Sequence, residues 1–274
     1  MGLLGDILAR KGAELDALRL VPRTRSKRLP DDVVGALRRN GASGGALRLL
    51  AEVKLRSPSA GPLSHALSAA ARALAYAQEG AAMVSILCDS TFFDGSWEHL
   101  SQARARLDAA GHTIPLLAKE FVIDERQVQE ARDRGAGAVL LIARIVDGPT
   151  LGRLANAARE EGLEPFIEVA DEGELATALE VGARVVGVNA RDLDTLAMDS
   201  VRAAHVLDTI PREVVAVHFS GLREASDVER VASTRADAAL VGEALMRDDD
   251  PRPRLRAMVE AARGRGRQET SRRA

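Results

Sequence analysis

Residues 114–144, IPLLAKEFVIDERQVQEARDRGAGAVLLIAR, contain one complete strand–helix–strand unit. Two continuous apolar runs, at 114–121 and 138–144, have the length and composition of buried β-strands. Between them, residues 127–137 have the composition of a surface helix, and Gly135 stands where that helix should end. Strands that are apolar throughout are typical of a parallel sheet covered by helices.

The same unit recurs along the chain from residue 46. The apolar runs are ALRLLAEVK (46–54), MVSILCD (83–89), IPLLAKEF (114–121), AVLLIAR (138–144), PFIEVA (165–170), VVGVNAR (185–191), VVAVHFS (214–220) and AALVGEAL (238–245). Eight such units in about 200 residues predict an α/β fold, a (β/α)8 TIM barrel. A doubly wound open sheet is the alternative, but it usually carries a glycine-rich dinucleotide fingerprint after its first strand, and this chain has none.

We expect three segments along the chain. Residues 1–45 form an N-terminal helical extension packed on the barrel, 46–263 form the barrel, and 264–274 form a disordered basic tail. The first twenty residues have the pattern of an amphipathic helix. Its expected polar face consists of Asp6, Arg10, Lys11 and Glu14.

Composition excludes several classes of function. The chain has 274 residues and a net charge of −2, which gives no electrostatic case for nucleic-acid binding. No apolar run reaches roughly 18 residues, so no membrane-spanning helix is expected. The single Cys88 cannot form an intrachain disulfide, which fits a cytoplasmic protein. The five histidines lack metal-ligand spacing, so we expect no metal. We also expect a monomer or weak homodimer.

Lysine is rare in this chain, which has 38 basic residues of which only four are lysines. Two of them, Lys54 and Lys119, end apolar runs. Lysine can exchange protons where arginine stays charged, so lysines at two strand ends indicate proton transfer or imine chemistry. The alternative is that each lysine merely caps a strand and reaches into solvent.

In a barrel, chemistry occurs at the carboxyl ends of the strands. Polar side chains collect at these ends in the predicted strands. They are Glu52, Lys54, Lys119, Glu120, Arg144, Glu168, Asn189, Arg191, His218 and Ser220. A ring of Lys, Glu, Asn and Arg at one mouth has the composition of an acid–base site for an anionic substrate.

Loops after three strands are candidates for binding phosphate. SGL (220–222) follows the seventh run, VGEAL (241–245) ends the eighth, and SPSAGPL (57–63) follows the first. Phosphate sites of such barrels are often built from the last two loops, although a single glycine more often only permits a turn. Phe92 and Phe93 lie in the loop after the second run, where they either pack an aromatic substrate or cover the core.

At these positions the chain resembles the indole-3-glycerol phosphate synthase family of tryptophan biosynthesis. The motifs that carry the resemblance are AEVKLRSPSAG, FFDGSWEHL, PLLAKEFVID, AVLLIAR, FIEVADEGEL, GVNARDL, SGL and LVGEALM, in this order between about residues 46 and 246. The resemblance implies a lyase without a cofactor. Its reaction closes a ring in 1-(2-carboxyphenylamino)-1-deoxyribulose 5-phosphate, giving indole-3-glycerol phosphate, carbon dioxide and water.

The resemblance also implies a role for each matching residue. Lys119 is then the general acid, Glu168 an acid or base in dehydration, and Lys54 the partner of the substrate carboxylate and a further proton donor. Glu52 orients Lys54 and assists proton transfer. The implied substrate-binding residues are Asn189, Arg191, Ser220, Phe93 and Phe121, and the implied phosphate-binding residues are Ser57, Gly221, Gly242 and Glu243.

Three positions depart from the family pattern. Phe219 stands where the family usually has Glu before Ser-Gly, Ala190 follows Asn189, and Glu120 replaces the usual Asp. Phe219 favours an alternative in which a barrel of the same ancestry has lost or altered its activity and acts as a binding or regulatory subunit. A further alternative is a Schiff-base aldolase that uses Lys119 or Lys54.

Overall fold

The computed structural model describes residues 3–15, 18, 31–39, 45–58 and 60–264. Eight parallel strands close into a barrel in chain order, and the last strand pairs with the first. The strands are β1 (Arg48–Val53), β2 (Met83–Leu87), β3 (Leu116–Lys119), β4 (Ala138–Ile142), β5 (Glu164–Val169), β6 (Val185–Asn189), β7 (Val215–Phe219) and β8 (Ala238–Val241). The predicted (β/α)8 barrel is therefore confirmed.

Helices connect the strands and cover the outside of the barrel. In chain order they are α1 (Leu3–Glu14), α2 (Val33–Leu37), α3 (Ala69–Gln78), α4 (Ser90–Phe93), α5 (Trp97–Ala109), α6 (Glu125–Asp133), α7 (Gly148–Glu160), α8 (Glu172–Glu180), α9 (Ser200–Thr209), α10 (Ala225–Ala232), α11 (Glu243–Arg247) and α12 (Arg252–Ala262). Two short strands, Arg56–Ser57 and Gly61–Pro62, form a small hairpin after β1, and a 3-10 helix spans Ala143–Ile145.

The strands are apolar along their whole length because both of their faces are buried. One set of side chains, including Leu50, Leu117 and Phe166, fills the inside of the barrel. The alternate set, including Leu49 and Ile167, packs under the surrounding helices. This double burial is the reason that the runs lack the polar alternation of a half-exposed strand.

Glycine ends several helices before the next strand. Gly80, Gly135 and Gly182 all have positive φ, between 74° and 92°. A residue in this left-handed region terminates a helix, and glycine adopts it without steric cost. The helix end at Gly135 is the one that the sequence analysis predicts, and the structure confirms it.

The structure corrects two details of the sequence analysis. Residues 243–245, which the pattern assigns to the eighth strand run, belong to α11. Lys11 lies on α1 as expected, but its side chain is buried rather than on a solvent-exposed face. The tail beyond residue 264 lies outside the described residues, and the limits of the three segments stay a prediction. No helix among the described residues is long and apolar enough to cross a membrane.

Candidate active site

A cavity of about 810 Å³ opens at the carboxyl ends of the barrel strands. It brings together side chains from almost every strand of the barrel. All the catalytic, substrate-binding and phosphate-binding residues that the family resemblance implied line it: Glu52, Lys54, Ser57, Phe93, Lys119, Phe121, Glu168, Asn189, Arg191, Ser220, Gly221, Gly242 and Glu243. Their individual roles stay predictions.

Two lysines share one carboxylate at the bottom of this cavity. Lys119 Nζ lies 2.9 Å from Glu52 Oε2, and Lys54 Nζ lies 2.8 Å from Glu52 Oε1. Glu52 is near the end of β1 and Lys119 ends β3, so both side chains point into the barrel from nearby strands. We call Glu52, Lys54 and Lys119 the central cluster.

Gly242 permits the close packing around the central cluster. A Cβ atom at this position would lie 2.5 Å from Glu52 Oε1, closer than any real contact of this kind. A side chain here would displace the carboxylate that both lysines bind. Gly242, which the family resemblance implies is a phosphate-binding residue, therefore also leaves the space that the Glu52 carboxylate occupies.

The opposite charges in the central cluster shift one another's pKa values. Burial favours the neutral form of Glu52, but Lys119 and Lys54 outweigh this effect and lower the pKa of Glu52 to about 2. Burial also opposes the charge of Lys119, yet Glu52 and Glu168 together raise the pKa of that lysine above its ordinary value. Glu52 is thus an anion and Lys119 a protonated ammonium at neutral pH, able to donate a proton.

Glu168 is held in a fixed orientation by Asn189. The Asn189 amide donates from Nδ2 to Glu168 Oε1 at 2.8 Å. Asn189 Oδ1 accepts from the Ser220 hydroxyl at 2.9 Å and from the Arg191 backbone N–H at 3.0 Å. Burial raises the pKa of Glu168 despite the opposing effects of Lys119 and Asn189. A carboxylate with a raised pKa is a better proton acceptor near neutral pH.

One wall of the cavity is apolar. Phe93 and Phe121 lie with their ring centroids 6.0 Å apart, and Ile7 of α1 lines the cavity as well. Phe92 and Phe93 both pack against the core inside the barrel, and Phe93 also lines the cavity. This wall provides an apolar surface for a flat aromatic ring.

Ser57, Gly221, Gly242 and Glu243 line the cavity from the loops after β1, β7 and β8. Arginines that the sequence analysis missed line it too: Arg223, Arg247 and Arg254. Arg223 lies in the loop after β7, whereas Arg247 ends α11 and Arg254 lies on α12. A search for basic residues in the segments that follow the last two strands could have found them. Arg247 pairs with Glu243 and Arg254 with Asp248, so part of their positive charge is already balanced.

A second group of buried charges fixes α1 to the barrel. Lys11 Nζ lies 2.7 Å from Asp89, 2.9 Å from Glu120 and 2.9 Å from Glu14. We call Lys11, Asp89, Glu120 and Glu14 the docking cluster. Glu120 lines the cavity as expected, but its carboxylate binds Lys11 and accepts from the backbone N–H of Phe121, so it belongs to the docking cluster.

Two other predicted mouth residues have partners elsewhere. Arg144 binds Glu174 and Asp192, at 2.8 and 3.1 Å, and does not line the large cavity. The His218 ring lies 3.0 Å from the Ser220 carbonyl oxygen and is also absent from the cavity wall. Among the described residues, no group of three His, Cys, Asp or Glu side chains is arranged to hold a metal ion.

Comparison with known proteins agrees with the geometry. The family model for indole-3-glycerol phosphate synthase matches residues 5–258. The chain belongs to this family. A synthase from Burkholderia ambifaria is 40% identical over 250 residues, which cover 91% of this chain and 92% of the relative. Indole-3-glycerol phosphate synthase 1 from Streptomyces coelicolor is 39% identical over 254 residues, covering 93% and 91%.

More distant solved structures share the barrel. A thiamine phosphate pyrophosphorylase from Pyrococcus furiosus gives a TM-score of 0.59 at 15% identity, covering 79% of this chain and 95% of that chain. A 3-hexulose-6-phosphate synthase from Salmonella typhimurium gives 0.60 at 16% identity, covering 79% and 98%. At this identity the likeness shows the fold alone.

Within the synthase family, the departure at Phe219 falls beside the central cluster. Phe219 ends β7 and is 1% exposed. Its ring lies under the Lys119 ammonium, 4.9 Å from Nζ to the ring centroid. The substituted position is therefore in contact with the predicted general acid.

Proposed function

We propose that this chain is an active indole-3-glycerol phosphate synthase. It converts 1-(2-carboxyphenylamino)-1-deoxyribulose 5-phosphate into indole-3-glycerol phosphate, carbon dioxide and water by general acid–base catalysis. The observation that carries the proposal is the central cluster, in which two lysines bind Glu52 in one cavity with Glu168. The family match adds independent support.

The chemistry needs two proton donors and one acceptor. The ring carbon that bears the carboxylate attacks the ketone carbon, and Lys119 protonates the ketone oxygen as the new bond forms. The carboxylate, paired with Lys54, leaves as carbon dioxide and returns its bonding electrons to the ring. The hydroxyl then leaves as water after a second protonation, for which Lys54 is available. Glu168 removes a proton from the neighbouring carbon, which completes the indole double bond.

The cavity also supplies the contacts that orient such a substrate. Phe93 and Phe121 line the wall on which the aromatic ring packs, and Asn189 with Ser220 offers polar groups for the sugar hydroxyls. Arg191 supports Asn189 through its backbone N–H. The phosphate binds among Ser57, Gly221, Gly242 and Glu243, where the backbone N–H groups of the last two loops supply donors.

The direct test is turnover of the carboxyphenylamino-deoxyribulose phosphate by purified protein, followed by indole fluorescence. We expect product formation at a catalytic rate, and its loss in Lys119→Met. A dephosphorylated substrate serves as a matched control and should show a large rise in KM. Absence of product from a folded wild-type protein that still binds substrate would contradict the proposal.

One observation favours a second candidate, a barrel of the same ancestry that binds phosphorylated ligands without turning them over. Phe219 replaces a glutamate of the family pattern beside Lys119. The complete set of Glu52, Lys54, Lys119 and Glu168 argues for the active enzyme, because a binding protein has no evident need of paired acids and bases. Binding measured by calorimetry without carbon dioxide release would identify this second candidate.

We further propose that the enzyme acts on its phosphorylated substrate in the cytoplasm as a monomer or weak homodimer. The single Cys88 is free and buried, which suits a reducing compartment. Sedimentation of the purified protein at several concentrations measures the oligomeric state directly.

A further inference from the structure

The Lys119 ammonium is held by two different groups. Glu52 binds it through a carboxylate oxygen at 2.9 Å, and the face of the Phe219 ring lies 4.9 Å from Nζ. A cation over an aromatic face is attracted by the negative charge at the centre of the ring. The attraction is stronger where water is excluded, and Phe219 is almost completely buried.

The Phe219 ring is fixed by its neighbours inside the barrel. It packs against Phe166 with ring centroids 5.5 Å apart and planes tilted by 41°. Gly187 in β6 leaves the space that both rings occupy, because a Cβ there would lie 2.7 Å from Phe219 Cζ and 3.0 Å from Phe166 Cε2. A ring wedged in this way has little freedom to rotate away from the ammonium.

We propose that Phe219 is a positioning residue for Lys119, whose ring face fixes the ammonium at the place from which it donates its proton. The role acts through Lys119. It rests on the proposed function, since Lys119 must be the general acid for its position to matter. A proton donor that is held in one place needs no reorganisation when the substrate reacts.

The experiment replaces Phe219 with phenylalanines that carry one, two or three fluorine atoms. Fluorine weakens the negative charge at the ring face while leaving the shape of the side chain almost unchanged. We expect kcat to fall stepwise with the number of fluorines, by about two- to tenfold in total, with KM unchanged. The same series at Phe166 is the matched control, because that ring belongs to the same buried pair without facing Lys119 in the described contacts.

A spectroscopic measurement tests the contact without activity. The chain has only four lysines, so protein labelled with ¹³C at the lysine ε-carbons gives a simple spectrum. Lys119→Arg identifies the Lys119 signal. We expect the ε-protons of Lys119 to show an upfield ring-current shift that disappears in Phe219→Leu. Should Phe219→Leu not fold, the fluorinated proteins still provide the kinetic test.

The outcomes separate this inference from the proposed function. A stepwise fall at Phe219 with no change at Phe166 supports the positioning role. A flat series at Phe219, or an equal fall at both positions, overturns it and leaves Phe219 as a packing residue. A wild type without turnover overturns the proposed function and with it the catalytic part of this inference, whereas the ring-current shift decides the contact by itself.

Discussion

The central cluster and the docking cluster meet at adjacent residues, yet they have opposite charge balance, and their lysines differ in exposure. Lys119 belongs to the first and Glu120 to the second. In the central cluster two lysines share Glu52, and their side chains are 16% and 19% exposed. In the docking cluster one lysine faces three carboxylates, and Lys11, Asp89 and Glu120 are each at most 2% exposed.

The difference shows how the same residue types serve chemistry or stability. A lysine that donates protons to a substrate must reach the cavity, and Lys119 and Lys54 line it. A lysine that is sealed among carboxylates cannot meet a substrate, and Lys11 instead joins α1 to residues near the ends of β2 and β3. Access of the lysine to the cavity separates the two clusters, since Lys54 and Lys119 line it and Lys11 does not, although Glu120 of the docking cluster also lines it.

Lys119→Met is expected to have the largest effect, because it removes the predicted general acid from the central cluster. We expect kcat to fall by about 10²–10⁴-fold, the usual contribution of a general acid. Stability should change little, because Lys54 continues to neutralise Glu52. Kinetics with the carboxyphenylamino-deoxyribulose phosphate and thermal unfolding by circular dichroism give the two readouts.

Lys119→Arg is the control for charge. Arginine keeps the positive charge beside Glu52 but does not give up its proton in proteins. Equal inactivity of both variants would assign the loss to proton transfer. A rate within about tenfold of wild type in either variant would refute the general-acid role.

The converse variant is Lys11→Met, which should lose stability and keep its chemistry. Removing the lysine leaves Asp89 and Glu120 buried without a cation, and breaking a buried pair in this way costs about 3–5 kcal/mol of unfolding free energy. Urea denaturation followed by fluorescence of the single Trp97 measures the loss. Full stability together with a catalytic defect would show that the two clusters are not separate in function.

The two clusters also differ in how far the sequence predicts them. Lys54 and Lys119 were found because barrel chemistry gathers at strand ends, which the strand pattern locates. Lys11 was assigned to a solvent face because helical periodicity records which residues share a face but not what packs against it. Its two fully buried partners, Asp89 and Glu120, are 78 or more residues away in the chain, and no local pattern connects them to Lys11.

Phe219 shows a similar limit. Its sequence position marked it only as a departure from the family, and the strand pattern placed it at the end of β7. The ring contact with Lys119 depends on Gly187 and Phe166, which create the space and the support for the ring. The sequence does not show this packing, because Gly187, Phe166 and Phe219 lie on three different strands that come together only in the folded barrel.

Titration of Glu120 should change the unfolding free energy by a smaller amount, and it tests the role of the docking cluster in stability. Burial raises the pKa of Glu120 to about 7, and Lys11 lowers it only in part. Because the folded state holds this proton more tightly than the unfolded state, the stabilisation is complete below about pH 4 and is lost as pH rises through 7. The expected loss is about 3 kcal/mol.

Glu120→Gln should remove that pH dependence. The unfolding free energies of wild type and variant are measured at about pH 5 and about pH 8. Subtracting the change in the variant from the change in the wild type isolates Glu120, because the contributions of the other titrating groups cancel. The wild type should lose more stability than the variant over this interval. An identical loss in both proteins would mean that Glu120 is already ionised throughout the range.

The smallest effect is expected at Glu14, the most exposed member of the docking cluster. Its side chain is 32% exposed, and it pairs with Lys11 and with the solvent-exposed Arg10. Glu14→Gln should change the unfolding free energy by less than about 1 kcal/mol, because exposed ion pairs are weak. Asp89→Asn is the matched comparison, since Asp89 is fully buried and also accepts a hydrogen bond from the Phe92 backbone N–H at 2.6 Å. If both variants cost the same, burial would not be what gives the docking cluster its strength, and the contrast with the central cluster would have to rest on charge balance alone.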